Sequence, residues 1–153
     1  AGGPRAADNG GMKRTLEQWL AYQHQVHPRD IAMGLERVGE VFRRLAPGRP
    51  GRRVAVVGGT NGKGSTVAFL EAMARAAGLR VGAFTSPHLL RYNERVRIDG
   101  EDASDAALVS AFERIEAARG EIPLTYFEFG TLAALLLFAE AGLDLAILEV
   151  GLG

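Results

Sequence analysis

The sequence predicts an α/β fold: a mostly parallel sheet with helices on both faces, entered through a glycine-rich turn suited to phosphate. Three observations predict it. The β-branched run "VAVV" (54–57) leads directly into "GGTNGKGST" (58–66), a strand flowing into glycines and then into a helical pattern. Strand and helix patterns alternate along the chain at lengths that suit crossover helices on a parallel sheet. A second apolar strand pattern, "LDLAILEV" (143–150), again runs into glycines.

Taken in order, residues 1–11 ("AGGPRAADNGG") have no hydrophobic signal region and do not begin with Met. They read as a disordered leader or cloning remnant ahead of a domain at 12–153. Helices are expected over 12–24 and 30–45; in the second, Ile31, Leu35, Val38 and Phe42 recur at helical spacing, with Asp30 placed to cap. "APGRPG" (46–51) breaks that helix as a linker. A strand follows over 53–57, then a helix over 64–77 that stops at Gly78, where a C′ glycine belongs. A second strand is expected over 80–84, a loop over 85–95 and a small hairpin over 96–104 turning at Asp99-Gly100. Ser104 or Asp105 caps a helix whose buried stripe is Leu108, Phe112 and Ile115. The helix at 126–141 is apolar nearly all round, which predicts that it is largely buried.

The bulk numbers exclude several classes of function. At 153 residues the chain supports one α/β core and not two large ones. Zero net charge and a pI near 7.1 argue against a polyanion-binding surface; the local basic run "RPGRR" (49–53) reads as a solvated linker. With no cysteine, disulfides and thiolate metal sites are excluded, and a reducing cytosol is compatible. No apolar run approaches the roughly 18 residues of a membrane span.

The chemistry sits in the first turn. Glycines between a buried strand and a helix leave backbone N–H groups converging on one small volume, and the helix dipole adds positive charge there. Lys63 can supply a full charge to a β- or γ-phosphate, while Ser65 and Thr66 offer hydroxyls to phosphate oxygen or hydrated Mg²⁺. The spacing departs from the strict G-x-x-x-x-G-K-[ST] pattern: Val57 stands at the first glycine position and Gly64 follows the lysine.

"GTNGKGS" (59–65) resembles the ATP loop of the Mur-ligase superfamily, in its folylpolyglutamate synthase and dihydrofolate synthase branch. The likeness continues through "GLERV" (34–38), "TSPHL" (85–89), "NERVRI" (93–98), "EAARGEIPLTYFEFGTLAAL" (116–135) and "LEVGLG" (148–153), in order, with "LTYFEFGTLAAL" similar to the bifunctional bacterial enzymes. The resemblance implies an ATP-dependent ligase that joins L-glutamate to dihydropteroate, to tetrahydrofolates or to both, through an acyl phosphate. It implies ATP binding by Thr60, Asn61, Gly62, Lys63, Gly64 and Ser65, with Lys63 and Glu149 catalytic. Ser86 and Glu149 are implied as Mg²⁺ ligands, and Ile31, Ala32, Met33, Thr125, Tyr126, Phe127 and Glu128 as the pterin or folate pocket. A monomeric cytoplasmic enzyme with no nucleic-acid or membrane partner is implied as well.

From the residues alone, several of these positions have plainer readings. "TSPHL" is an ordinary Ser-Pro turn, Glu149 a rim glutamate paired with some arginine, and Tyr126, Phe127 and Phe129 core aromatics. Residues 31–33 read equally well as a helix face on the core, and His88 takes no role. Past "EVGLG" the family pattern continues into an aspartate-asparagine segment, a metal-ligating histidine, a carbamylated lysine and a second domain. The chain is therefore expected to be a fragment and, by itself, a weak nucleotide binder. The rival readings are another P-loop enzyme such as a small kinase, disfavoured by the missing Ser/Thr directly after Lys63, and a non-catalytic nucleotide-binding module.

Overall fold

A computed structural model describes residues 13–28 and 34–151. Its elements are α1 (Leu16–Gln25), α2 (Glu36–Leu45), β1 (Arg53–Val57), α3 (Lys63–Ala76), β2 (Val81–Phe84), a 3₁₀ turn (Tyr92–Arg95), β3 (Val96–Ile98), β4 (Glu101–Asp102), α4 (Asp105–Arg119), α5 (Tyr126–Ala141) and β5 (Leu145–Glu149). The sheet runs β1-β5-β2-β3-β4. The three longest strands are parallel, with β5 between β1 and β2. The hairpin extends them antiparallel, β3 on β2 and β4 on β3, so the sheet is mixed rather than uniformly parallel. Within the hairpin a two-residue turn reverses the chain from β3 to β4: Asp99 and Gly100 both have positive φ, +52° and +82°, the pairing a type I′ turn needs.

Alternation along the strands sorts the core into two layers. Val57, Val81, Ala83 and Ile147 face α3, whose Val67 and Ala74 pack on them. Phe84 and Ala146 point the other way, into a larger cluster with Trp19 of α1, Val41 of α2, Leu108, Phe112 and Ile115 of α4, and Phe129, Leu132, Leu136 and Phe138 of α5. The all-round apolar helix is buried as its composition predicts. At Gly82 a Cβ would stand 2.7 Å from the Phe138 ring, so only glycine lets α5 lie this close on β2.

Local signals fix most helix ends. Thr15 with Gln18, and Thr125 with Glu128, form reciprocal capping boxes at α1 and α5, and Ser104 caps α4. Gly78 and Gly142, at φ +79° and +64°, end α3 and α5 as the C′ rule expects. Two helix starts differ from expectation. The first helix begins at Leu16, where Thr15 caps it, and the second at Glu36, with Gly34 and Leu35 in a bend; the expected cap Asp30 lies outside the described residues, as does the expected leader. No helix among the described residues is long and apolar enough to cross a membrane.

Candidate functional site

The parallel strands finish together. Val57 pairs with Glu149, and Phe84 with Leu148. The loop after β1, the turn after β2 and the end of β5 therefore open on one sheet edge, where open α/β sheets collect ligands.

Gly59 and Gly62 hold φ of +135° and +73°, which L side chains rarely adopt. Gly62 is the N-cap of α3 and brings no capping side chain, whereas Thr15, Ser104 and Thr125 cap α1, α4 and α5. The first-turn N–H groups of α3 are thus left for a ligand, with the helix dipole behind them. Lys63 is the first residue of α3 and half-buried. Its Nζ comes within 3.7 Å of where a Cβ would stand on Gly151, which places the ammonium against the end of β5. Thr60, Asn61, Gly64 and Ser65 are exposed around it. Thr66 is not available in the same way: its hydroxyl donates to the Gly62 carbonyl at 3.0 Å. Ser65 is the hydroxyl left facing out.

Glu149 is only 4% exposed, and the Ser86 N–H donates to its Oε2 at 3.3 Å. Among the described residues this is its only hydrogen bond, and no arginine pairs with it as the plain rim reading required. The two residues fit a hard cation in kind, a serine hydroxyl and a buried carboxylate, with the Ser86 backbone N–H as the contact between them. No third His, Asp or Glu completes a cluster among the described residues.

The aromatic stretch lies on the α5 side of the same edge. Phe127 is 43% exposed and meets Phe84 at 5.8 Å between ring centroids, so it is not the core aromatic that composition suggested; Phe129 is. Tyr126 stacks on His24 at 4.1 Å and meets Tyr92 edge-on at 5.8 Å. Burial raises the pKa of both tyrosines above the ordinary value. Thr125 and Glu128 are occupied locally. Each caps the other, and Arg37 of α2 grips the Glu128 carboxylate with two N–H···O bonds of 3.0 and 3.2 Å and the Pro123 carbonyl with one of 2.7 Å. Ile31, Ala32 and Met33 lie outside the described residues, although Arg37 ties the helix that follows them to this stretch.

Sequence reasoning missed Arg37 and Arg95, and left His88 unassigned. The Arg95 Nε donates to His88 Nδ1 at 2.8 Å, and the guanidinium lies 5.3 Å from the Tyr92 ring centroid and 5.6 Å from that of Tyr126. No local pattern marks such an arginine. A cavity of about 810 Å³ is elsewhere: Arg49, Arg52, Arg53 and Asp144 line it at the amino ends of β1 and β5. The glycine loop, the buried carboxylate and the lysine meet at the opposite edge of the sheet.

No family model matches the chain. Its sequence is 52% identical over 138 residues to the dihydrofolate synthase/folylpolyglutamate synthase of Escherichia coli K12, covering 90% of this chain and 33% of that protein. The Haemophilus influenzae protein of the same name is 51% identical, covering 90% and 31%. Among solved structures, E. coli FolC in complex with DHPP and ADP superposes with a TM-score of 0.85 at 50% identity, over 92% of this chain and 34% of that one. The Yersinia pestis bifunctional folylpolyglutamate synthase/dihydrofolate synthase complexed with AMPPNP and Mn gives 0.86 at 55% identity, over 92% and 34%. The chain thus spans about a third of the length of the relatives it matches. With about half its aligned residues identical and its backbone superposing over nine-tenths of its length, the chain is similar to about a third of each of these dihydrofolate synthase/folylpolyglutamate synthases.

Proposed function

We propose that the protein carrying this chain is an ATP-dependent ligase that adds L-glutamate to dihydropteroate, to tetrahydrofolates or to both. The reading includes the monomeric state and cytoplasmic location expected above. In this reaction a substrate carboxylate oxygen attacks the γ-phosphorus of ATP, releasing ADP and forming an acyl phosphate. The glutamate amine then displaces phosphate and forms the amide, losing its proton. The observation that carries the reading is the meeting of an uncapped helix start, Lys63 and the Ser86–Glu149 pair at one sheet edge.

Each group has a task set by its placement. The α3 N–H groups and the Thr60–Ser65 backbone hold phosphate oxygens in place, and Lys63 stabilises charge that develops on them during transfer. Ser86 and Glu149 would hold Mg²⁺, which supplies screening between two anions when bound. Phe127, exposed beside Phe84, offers a flat face to a pterin ring, with Tyr126 next to it. Glu128 acts through Arg37 by fixing the turn that presents both aromatics.

Lys63→Ala tests the nucleotide half. A lost phosphate contact exceeds about 1.4 kcal/mol, a factor of ten in affinity, so calorimetry of the intact protein should show ATP binding weakened more than tenfold. Unchanged ATP affinity would reject Lys63 as a phosphate ligand.

A further inference from the structure

Arg95 differs from the other arginines of this region. Arg37 is paired with Glu128, Arg97 with Glu71, Arg91 with Asp105 and Arg119 with Glu116. No carboxylate among the described residues pairs with Arg95, although it is half-buried. Holding a cation away from water is costly unless something answers its charge. The Tyr92 and Tyr126 rings answer part of it through their π faces. Rings do not use the in-plane N–H donors, however, and His88 takes only Nε. Both Nη groups are left without a protein partner among the described residues. That is the half of a guanidinium that matches a carboxylate with two parallel hydrogen bonds.

Position narrows the ligand. The Arg95 carbonyl accepts from the Thr85 N–H at 2.9 Å, one residue before Ser86, while the guanidinium reaches Tyr126 in the first turn of α5. Arg95 thus stands between the Ser86–Glu149 pair and the aromatic stretch. The positive end of the α5 dipole lies on the same side. His88 accepts at Nδ1, which puts its proton on Nε2 as a further donor. Lys63 is on the other side, against Gly151 at the end of β5. An anion at Arg95 therefore belongs to the molecule that rests on the aromatics, not to the nucleotide.

We propose that the Arg95 guanidinium, laid over Tyr92 and Tyr126 and steadied by His88, binds the carboxylate of the flat aromatic acid that this site takes as substrate. This rests on the folate reading above. Arg95 would turn one carboxylate edge toward the ATP side and reduce its repulsion with the triphosphate. The same fork would disfavour an uncharged analogue, because its donors would then be buried without acceptors.

The test uses the intact protein and three ligands: pteroate, its methyl ester and ATP, each titrated by calorimetry into wild type, Arg95→Ala and Arg95→Lys. Wild type should prefer the acid to the ester. Arg95→Ala should weaken the acid about tenfold or more and leave the ester and ATP unchanged, so the preference disappears. Arg95→Lys keeps charge without the fork and should fall between. Equal loss of acid and ester would overturn the proposal, leaving Arg95 as a support for the tyrosines. Loss of ATP with pteroate spared would assign the fork to phosphate and overturn it as well. If Arg95→Ala fails to fold, the acid-to-ester ratio of Arg95→Lys decides, and an unchanged ratio refutes the claim. Wild type that binds ATP but neither pteroate nor its ester would instead reject the folate reading, a failure distinct from the loss of Arg95 alone.

Discussion

The Ser86 N–H donates to the Glu149 carboxylate across 3.3 Å, joining the turn after β2 to the end of β5. The carboxylate is 4% exposed and draws one hydrogen bond from the described residues, less than a buried charge requires. Glutamine at this position keeps the size and still accepts from Ser86, but it removes the charge a hard cation needs. Glu149→Gln should therefore fold with an unchanged or raised melting temperature, while turnover of the intact enzyme falls by orders of magnitude. Excess Mg²⁺ or Mn²⁺ should restore part of it. Steady-state rates across a Mg²⁺ series check this, and normal turnover at limiting Mg²⁺ would leave Glu149 a purely structural carboxylate.

Phe127 and Phe129 lie two residues apart on α5 with opposite surroundings, 43% and 0% exposed. Truncating the buried ring should cost about 3–5 kcal/mol through lost burial and a residual cavity. Phe127→Ala should cost much less and instead raise the KM for dihydropteroate severalfold, with the ATP KM unchanged. Thermal unfolding and paired KM measurements separate the two outcomes. A large loss of melting temperature in Phe127→Ala, with both KM values spared, would place the pterin elsewhere.

These relationships were unequally legible in the sequence. The glycine loop was readable because its whole signal is local: a β-branched strand, backbone freedom, a lysine and a helix start within a dozen residues. The cap before α4 and the glycine stop after α3 were readable for the same reason. The Thr125-x-x-Glu128 spacing is a capping box in plain sequence and forms one in the structure, while the resemblance marks the same two residues as pocket. Ser86 and Glu149 stood out only through family resemblance, since a Ser-Pro turn and a strand-end glutamate look ordinary until the sheet register sets them side by side. Arg37 meets Glu128 across 91 residues of chain, and Arg95, at the end of the 3₁₀ turn before β3, meets Tyr126 only because α5 packs on the sheet there. No local pattern encodes either contact. The start of α2 was misplaced because the apolar spacing at 31, 35, 38 and 42 continues through a bend at Gly34 and Leu35. Spacing alone carries no information on where hydrogen bonding begins.

Glu94 gives the loop between β2 and β3 a dependence on acid. Its carboxylate accepts from the N–H groups of Leu89, Leu90 and Arg91 at 2.7, 3.0 and 3.0 Å. Those bonds, led by the one from Leu89, hold its pKa below the ordinary 4.5. Little else holds the segment, since Leu89 and Leu90 are 90% and 88% exposed and contribute almost no burial. A carboxylate whose folded pKa is lowered stabilises the fold fully above its ordinary value. That contribution is lost as pH falls from 4.5 through the lower folded value. Protonation removes the acceptor charge, so the three amides should lose protection below pH 4.5 while the buried amides of β5 keep theirs. Glu94→Gln should produce the same exposure at neutral pH. Because the loop carries His88, which steadies Arg95, the variant should also weaken pteroate binding. Hydrogen exchange across a pH series, corrected for intrinsic rates, reads the effect directly. Protection at residues 89–91 that stays constant with pH and survives Glu94→Gln would show that the loop is held by something other than this carboxylate.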